Sequence, residues 1–414
     1  MIALPVTSRA TGPSLPALTG ARFFAAISVV VYHFGLEPLR SIAPLLVAPA
    51  AIGPAAVSFF YVLSGAVLTW GCTGTDGQTT RSAPTFWAQR ASRILPAYIL
   101  AIVLCALPFV AHVLKLHPGL PGVVRSAVGF SAGLLLLQAF WPPLTSGLNT
   151  PGWSISCEAF FYLLWPRLNS VLRSARPGLP WRRILLVWLV ALVAPCLGLL
   201  ALYFRSVPVG PFATLVEDVA GSELLVRALS YFPPLRLPEF VIGIVLGHAL
   251  RQTPQRMGTH WQDTIREFGL MGGLIACAFV LGTGRVAKLT GIESANHIAI
   301  EGSLLAPLFA LIIWQLARGE GWLQHLLSRP TLLVLGDASY ALYVLQEPVV
   351  VWFTAALKRF APDLIVRWNL LFWVYASILV VVSVLVHRYL ETPLRLWLVS
   401  RWVSRKRASL SPNQ

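Results

Sequence analysis

Residues 21–34 read ARFFAAISVVVYHF. This is an almost wholly apolar helical stretch, with Arg22 at its start and His33 near its end. The two are 11 residues apart. At about 3.6 residues per turn that spacing puts them on one helix face, about 16 Å apart along the axis. An ionisable side chain inside a lipid-spanning helix is costly and by default points to function. Two on one face, with Ser28 and Tyr32 close by, predict a polar seam across a bilayer. The competing reading is an interfacial arginine whose head group snorkels to water and a histidine satisfied by a neighbouring helix.

The rest of the chain supports a membrane setting. Of 414 residues, 56% are hydrophobic and 12% charged, and the mean hydropathy is +0.71, which excludes an ordinary soluble globular chain. Many apolar runs approach or exceed the length needed to cross about 30 Å of hydrocarbon. Strand-like alternation is absent, so the expected fold is all-α: a polytopic membrane helical bundle. The net charge of +16 does not indicate nucleic acid, because the arginines stand between apolar segments, where membrane topology accounts for them. Five cysteines are scattered singly, with no CxxC or Cys/His pairing, so neither a metal site nor a disulfide framework is expected.

Candidate spans are 18–36, 46–70, 86–113, 124–141, 153–168, 184–204, 230–250, 268–283, 298–317, 331–356 and 368–388. The positive-inside rule tests that count. Arg401, Arg405, Lys406 and Arg407 place the C-terminal tail in the cytoplasm. So do Arg167, Arg173, Arg176, Arg182 and Arg183 for their connection, and Arg81 to Arg93 for theirs. Segment 205–223, with Glu217, Asp218 and Glu223 against Arg205 alone, suits the outside. These assignments agree only if 124–141 dips into the membrane or lies at its surface. That leaves about 10 transmembrane helices plus one re-entrant or interfacial segment, with both termini inside. The expected division is a cytoplasmic tail over 1–17, a transmembrane domain over 18–390 and a basic cytoplasmic tail over 391–414. No internal repeat is evident, which counts against an inverted-repeat transporter.

Several further residues are candidates for chemistry. In AAVSFFYVLSGAVLTW, Ser64 and Gly65 permit close helix approach. In FWAQRASRILPAYIL, Arg90 and Arg93 lie three apart on one helix face. They are either topological anchors or a clamp for phosphate, which guanidinium groups bind bidentately. In TPGWSISCEAFFYLLWP, Glu158 lies about one and a half turns into an apolar helix, where a carboxylate without a partner is destabilising. If that helix enters from outside, Glu158 and His33 share a depth. A histidine–carboxylate pair would then provide a general base for a hydroxyl. Arg236 and Glu239, three apart, can pair. Asp337 reads as a helix cap or first-turn acid. Glu301 either faces an acceptor or forms a structural link, His248 is expected at a basic interface, and Glu391 caps or pairs at the end of the last span.

LTGARFFAAISVVVYHF, VSFFYVLSG, FWAQRASRILPAY, GWSISCEAFFYLLWP, RLPEFVIGIVLG and LGDASYALYVLQEPVV occur in that order. They resemble the successive motifs of the acyltransferase-3 family of integral-membrane acyltransferases, close to its exopolysaccharide acetyltransferase members. The resemblance implies His33 as catalytic base with Glu158, and Arg22, Arg90 and Arg93 on an acyl-CoA donor. It implies substrate contacts from Trp153, Ser154, Tyr340, Gln346 and Glu347. It also implies transfer of an acyl group, commonly acetyl from acetyl-CoA, to a hydroxyl of an extracytoplasmic or lipid-linked carbohydrate. No metal, cofactor beyond the donor or nucleic acid is implied, and the setting is a bacterial inner membrane. The sequence departs from the family pattern at two points. Gln346 stands where many members have a histidine, and it cannot take a proton near neutral pH, which favours acceptor binding there. Thr19 precedes Gly20 where aspartate is common. The fused extracytoplasmic esterase-like domain of many members is not expected. Two alternatives remain: a transporter or flippase for an anionic lipid-linked intermediate, and a regulatory or scaffolding membrane protein.

Overall fold

Long apolar runs punctuated by proline and glycine fold into helices because a buried backbone must satisfy its own hydrogen bonds. The computed structural model describes residues 15–145, 147–173, 180–203, 221–253, 259–292 and 294–410. Among them helices are the regular structure, beside one isolated bridge between Thr73 and Thr79. The helices that matter here are α1 (Pro16–Val30), α2 (Ala55–Cys72), α3 (Ala83–Leu116), α4 (Leu120–Leu134), α5 (Gly152–Arg173) and α6 (Pro180–Tyr203). They continue as α7 (Gly221–Tyr231), α8 (Pro233–Gln252), α9 (His260–Gly282), α10 (Ala295–Glu301), α11 (Ala306–Arg318) and α12 (Trp322–Leu327). The chain ends in α13 (Pro330–Asp337), α14 (Ser339–Phe360), α15 (Trp368–Val386) and α16 (Thr392–Leu410).

Among the described residues eight helical segments are long and apolar enough to cross a membrane, or nine if the bent pair Ala295–Glu301 and Ser303–Arg318 counts as one span. Helix α5 spans 22 residues but falls outside that set, since Glu158, Asn169 and several serines lower its hydropathy. The expected count of about ten is therefore not reached by length and composition alone.

Three expected spans differ in form. The run 331–356 is two helices, α13 and α14, meeting at Ala338, and Asp337 ends the first instead of capping the second. The run 298–317 bends by 48° at Gly302. The run 46–70 becomes a long helix only from Ala55, after two short turns at Pro44–Leu46 and Val47–Ala50. Segment 124–141 also breaks: α4 stops at Leu134, and Leu136 then adopts φ 58°, the one positive φ at a non-glycine position among the described residues. Two 3₁₀ turns come before α5 begins at Gly152. Gln138 closes this irregular stretch, its Nε2 donating to the Gly152 carbonyl at 2.6 Å and to the Tyr98 hydroxyl at 3.1 Å. The expected tail 1–17 lies outside the described residues up to residue 14, as do Arg176, Glu217 and Asp218, and helix α16 covers most of 391–414.

The most extensive helix–helix contact is between α2 and α8. A Cβ at Gly65 would overlap the Phe240 carbonyl oxygen, and Cβ atoms at Gly243 and Gly247 would overlap those of Val62 and Ala66. Glycine at these positions lets the two backbones touch. Beside the seam, Arg236 and Glu239 pair at 3.1 Å, both almost fully buried. Ser58 accepts from Arg236 at 3.1 Å and donates to Glu239 at 2.9 Å. Arg236 also lies 5.4 Å from the centre of the Tyr61 ring. The pairing expected from their spacing is present.

Prolines within helices withhold an N–H from the carbonyl four residues earlier. At four such places a side chain from another segment supplies the missing donor. Trp368 donates to the Phe34 carbonyl at 3.0 Å, four residues before Pro38. Trp352 donates to Leu104 at 2.9 Å, before Pro108. Trp87 donates to Tyr162 at 3.1 Å, before Pro166. Asn149 donates to Val344 at 3.2 Å, before Pro348. These bonds tie α15 to the end of α1, α14 to α3, α3 to α5, and the stretch before α5 to α14. Replacing Trp352 with Phe keeps most of the ring and removes the N–H. It should destabilise the protein by about 1–3 kcal/mol, the cost of a carbonyl left without a donor where lipid instead of water covers the helix. Pro108→Ala, which returns a backbone N–H, should recover much of that loss in the double variant, read as thermal unfolding in nanodiscs. Equal losses with and without Pro108 would show that indole packing, not the hydrogen bond, carries the effect.

Candidate functional site

Helices α1, α2, α3, α5 and α14 surround a cavity of about 190 Å³. Arg22 enters it from α1, Ser64 from α2, Arg90 and Arg93 from α3, Glu158 and Tyr162 from α5, and Tyr340 and Tyr343 from α14. Arg90 and Arg93 reach the same space because residues three apart share a helix face. Tyr162 stands four residues past Glu158 on the same face, and its hydroxyl donates to the Glu158 carboxylate. Ser64 lies 3.4 Å from that carboxylate and 3.1 Å from the Tyr162 hydroxyl. The serine expected to serve packing therefore also holds the acid, while Gly65 beside it makes the helix contact.

The positive charges here are not neutralised by ion pairs. Among the described residues Arg22, Arg90 and Arg93 form none, and the Nε of Arg90 is buried without a partner. The Arg90 guanidinium lies 5.9 Å from the Phe86 ring centre. Glu158, Asp337 and Arg93 lie within electrostatic range of Arg22. Three guanidinium groups against one lining carboxylate make an anion-seeking chamber in low-dielectric surroundings, where each charge acts strongly. A smaller pocket adjoins it, sharing Arg93 and Tyr340 and lined further by Asp337, His387, Glu391 and Arg395. Tyr340 stands between the two, its hydroxyl donating to the Ile94 carbonyl at 2.9 Å. Glu391 pairs with His387 at 2.7 Å.

The far end of the main cavity is closed by hydroxyls. Ser154 and Tyr343 are hydrogen-bonded at 2.8 Å, and Tyr61 donates to the Ser154 carbonyl at 3.3 Å. A second polar group lines neither pocket. Glu301, 6% exposed, approaches His297 at 3.1 Å, and His297 lies 3.3 Å from the Tyr231 hydroxyl. Trp153 packs on Tyr231 with ring centres 4.4 Å apart. Tyr32 and His33 are both within electrostatic range of Glu301.

The structure thus divides the residues singled out from the sequence. Arg22, Arg90, Arg93, Ser154, Glu158 and Tyr340 line one cavity. His33 does not: it is exposed and sits in a π turn over Val31–Gly35 at the end of α1. No His33–Glu158 pair forms. Helix α5 begins inside the bundle, with Gly152 to Cys157 all buried, and one and a half turns along it bring Glu158 into the cavity that Arg22 lines. Trp153 is buried against Tyr231. Gln346 is fully buried, with its Nε2 bound to the Tyr343 carbonyl of its own helix at 2.9 Å. Glu347 accepts the Thr150 N–H. Both belong to the packing of α14 against the stretch before α5 and line neither pocket. His248, expected at an interface, is largely buried. Sequence reasoning missed Tyr162 and His297, although each stands four residues from an acid, the spacing that brings helix neighbours together.

A comparison with protein families matches residues 15–388 to the acyltransferase domain of the acyltransferase-3 family. Among curated proteins, the acyltransferase MdmB of Streptomyces mycarofaciens is 29% identical over 81% of this chain and 79% of its own length. The peptidoglycan O-acetyltransferase OatA of Listeria monocytogenes is 22% identical over 94% of this chain and 57% of its own. A putative O-acetyltransferase of Staphylococcus aureus is 22% identical over 92% of this chain and 57% of its own. The chain therefore spans little more than half the length of the latter two. No solved structure matches. With its family match running through all the helices that build the cavity, the chain belongs to the acyltransferase-3 family of membrane acyltransferases.

Proposed function

We propose that this acyltransferase moves an acetyl group from acetyl-CoA to a hydroxyl of an extracytoplasmic or lipid-linked carbohydrate, such as a surface polysaccharide. The observation that carries the reading is the chamber of three unpaired guanidinium groups, Arg22, Arg90 and Arg93, beside Glu158. Such a chamber suits a donor that brings several phosphates and an acyl thioester. The basic run from Arg81 to Arg93, whose Arg90 and Arg93 line the chamber, suits the cytoplasmic leaflet, so in this proposal acetyl-CoA enters from that side and both chain termini face the cytoplasm of a bacterial inner membrane. The name of one relative, a peptidoglycan O-acetyltransferase, supports a carbohydrate acceptor. The transporter alternative is not favoured, because the match is to an acyltransferase family along most of the chain.

In this reading Arg90 and Arg93 hold the donor's phosphates, and Arg22 steadies the thioester end. His33 takes the proton of the acceptor hydroxyl as its oxygen bonds to the acyl carbon. The carbon–sulfur bond then breaks, and the departing thiolate receives that proton from the imidazolium. The thioester must pass the Ser154–Tyr343 layer to meet His33. Tyr343 lies within electrostatic range of both Glu158 and Glu301.

Purified protein in nanodiscs with acetyl-CoA should release thiol. His33→Ala should lower the rate by about 10² to 10⁴, the usual contribution of a general base, without raising the KM for acetyl-CoA. Arg90→Ala and Arg93→Ala should each raise that KM about tenfold or more, as expected when a charge-assisted phosphate contact of about 1.5–3 kcal/mol is lost. Wild-type protein releasing no thiol would count against acyl transfer from CoA. In cells, gene deletion should remove O-acetyl signals from isolated glycans in NMR spectra, and the His33→Ala gene should fail to restore them.

A further inference from the structure

The proposed base His33 needs a carboxylate to orient its ring and stabilise its charged form. Glu158, the acid expected for it, is held instead by Tyr162 and Ser64 in the arginine chamber. We propose that Glu301 is the positioning carboxylate for His33, and that Tyr231, His297 and Glu301 form the acceptor side of the site, receiving a carbohydrate hydroxyl. The inference rests on the reading of His33 as the base.

Three observations support it. Glu301 is almost completely buried at the end of α10, where its Oε2 lies 3.1 Å from His297 and Tyr231 is a second hydrogen-bonding neighbour. A buried carboxylate whose neighbours are an imidazole and a phenol, with no arginine or lysine paired to it among the described residues, gains from a further imidazolium within range. Second, the charged and titratable groups around it converge from separate elements. Tyr32 and His33 come from the π turn, Tyr231 from α7 and His297 from α10 itself. Arg227 of α7 acts on Tyr231 and is engaged by Glu223 at 2.8 Å. Third, Trp153 packs on Tyr231 with ring centres 4.4 Å apart, so the cluster combines an acid, imidazoles and a tyrosine held in place by an aromatic neighbour. That combination suits a sugar, which offers hydroxyls at its edge and C–H groups on its face.

His33 and Glu301 are within electrostatic range of each other, and no hydrogen bond joins them. A substrate hydroxyl or water between them closes the gap, and catalytic contacts of this kind commonly tighten only when substrate is bound. In the transfer step the hydroxyl proton goes to His33, the oxygen bonds to the acyl carbon, the carbon–sulfur bond breaks, and the departing thiolate takes that proton from the imidazolium. Glu301 keeps its charge throughout and balances the imidazolium. His297 and Tyr231 fix the carboxylate from its other side.

A double-mutant cycle on the full chain in nanodiscs tests this. Thiol release from acetyl-CoA is the readout, first with water as acceptor and then with chitotetraose added as a carbohydrate probe. Glu301→Gln should lower the rate about tenfold or more, while the KM for acetyl-CoA stays within about twofold, since a group acting through the base supports proton transfer and not donor binding. In the His33→Ala background the same substitution should change the rate less than about twofold, because residues acting as a unit are not additive. His297→Gln, which leaves Glu301 in place, should show the same pattern with a smaller loss, and it carries the cycle if Glu301→Gln does not fold. An unchanged rate in Glu301→Gln overturns the proposal. So does an equal fold-loss in both backgrounds, the mark of a structural role. A wild-type protein that releases no thiol, or a His33→Ala variant as fast as wild type, overturns the reading of His33 as base and this proposal with it.

Discussion

A carbonyl oxygen in an apolar interior has to find a donor, and in this bundle proline repeatedly takes the nearest one away. The four bonds from Trp368, Trp352, Trp87 and Asn149 meet that constraint by reaching across from neighbouring segments. They fix both the depth and the rotation of the helices they join, because an indole N–H has one direction and one length of reach. Two of them bear directly on the site. Trp87 is on the same turn of α3 as Arg90 and holds α5 near Glu158. Trp368 fastens the end of α1 just after His33. Nonspecific apolar packing would let these helices slide, whereas a directed N–H to a single carbonyl does not.

The two polar regions of the interior obey different rules. Arg236 and Glu239 are paired, share Ser58 and lean on Tyr61, so their charges are answered within the protein. Removing either would leave a buried charge alone, at a cost of several kcal/mol. Arg22, Arg90 and Arg93 have no such answer among the described residues. Their charges face a cavity that is open to a ligand, which is the arrangement an anion site needs. The contrast separates arginines that serve the fold from arginines that serve a ligand.

Much of this was legible in the sequence. The helical membrane character comes from the long apolar runs, a close helix approach at Gly65 (though not its partner) from that glycine, the Arg236–Glu239 pair from its three-residue spacing, and the shared face of Arg90 and Arg93 likewise. The sequence did not disclose depth. Glu158 appears one and a half turns from an expected membrane surface, but α5 starts within the bundle, and no periodicity announces where a helix begins relative to a membrane. Helix breaks were similarly hidden: Ala338 and Gly302 interrupt apolar runs that read as continuous. Gln346 and Glu347 sit in a motif that resembles a family signature, yet their side chains turn into packing, and only the surrounding helices decide that.

The π turn at Val31–Gly35 changes the geometry of the first helix in a way that its residue spacing conceals. A wide turn inserts one residue more than a regular coil, and each residue of a regular coil corresponds to about 100° of rotation at 3.6 per turn. The ridge of side chains that begins at Arg22 therefore does not run straight through to the end of the helix. At the wide turn the ridge swings round toward a different neighbour. One polypeptide rod thereby presents its basic end to one compartment of the bundle and its imidazole to another.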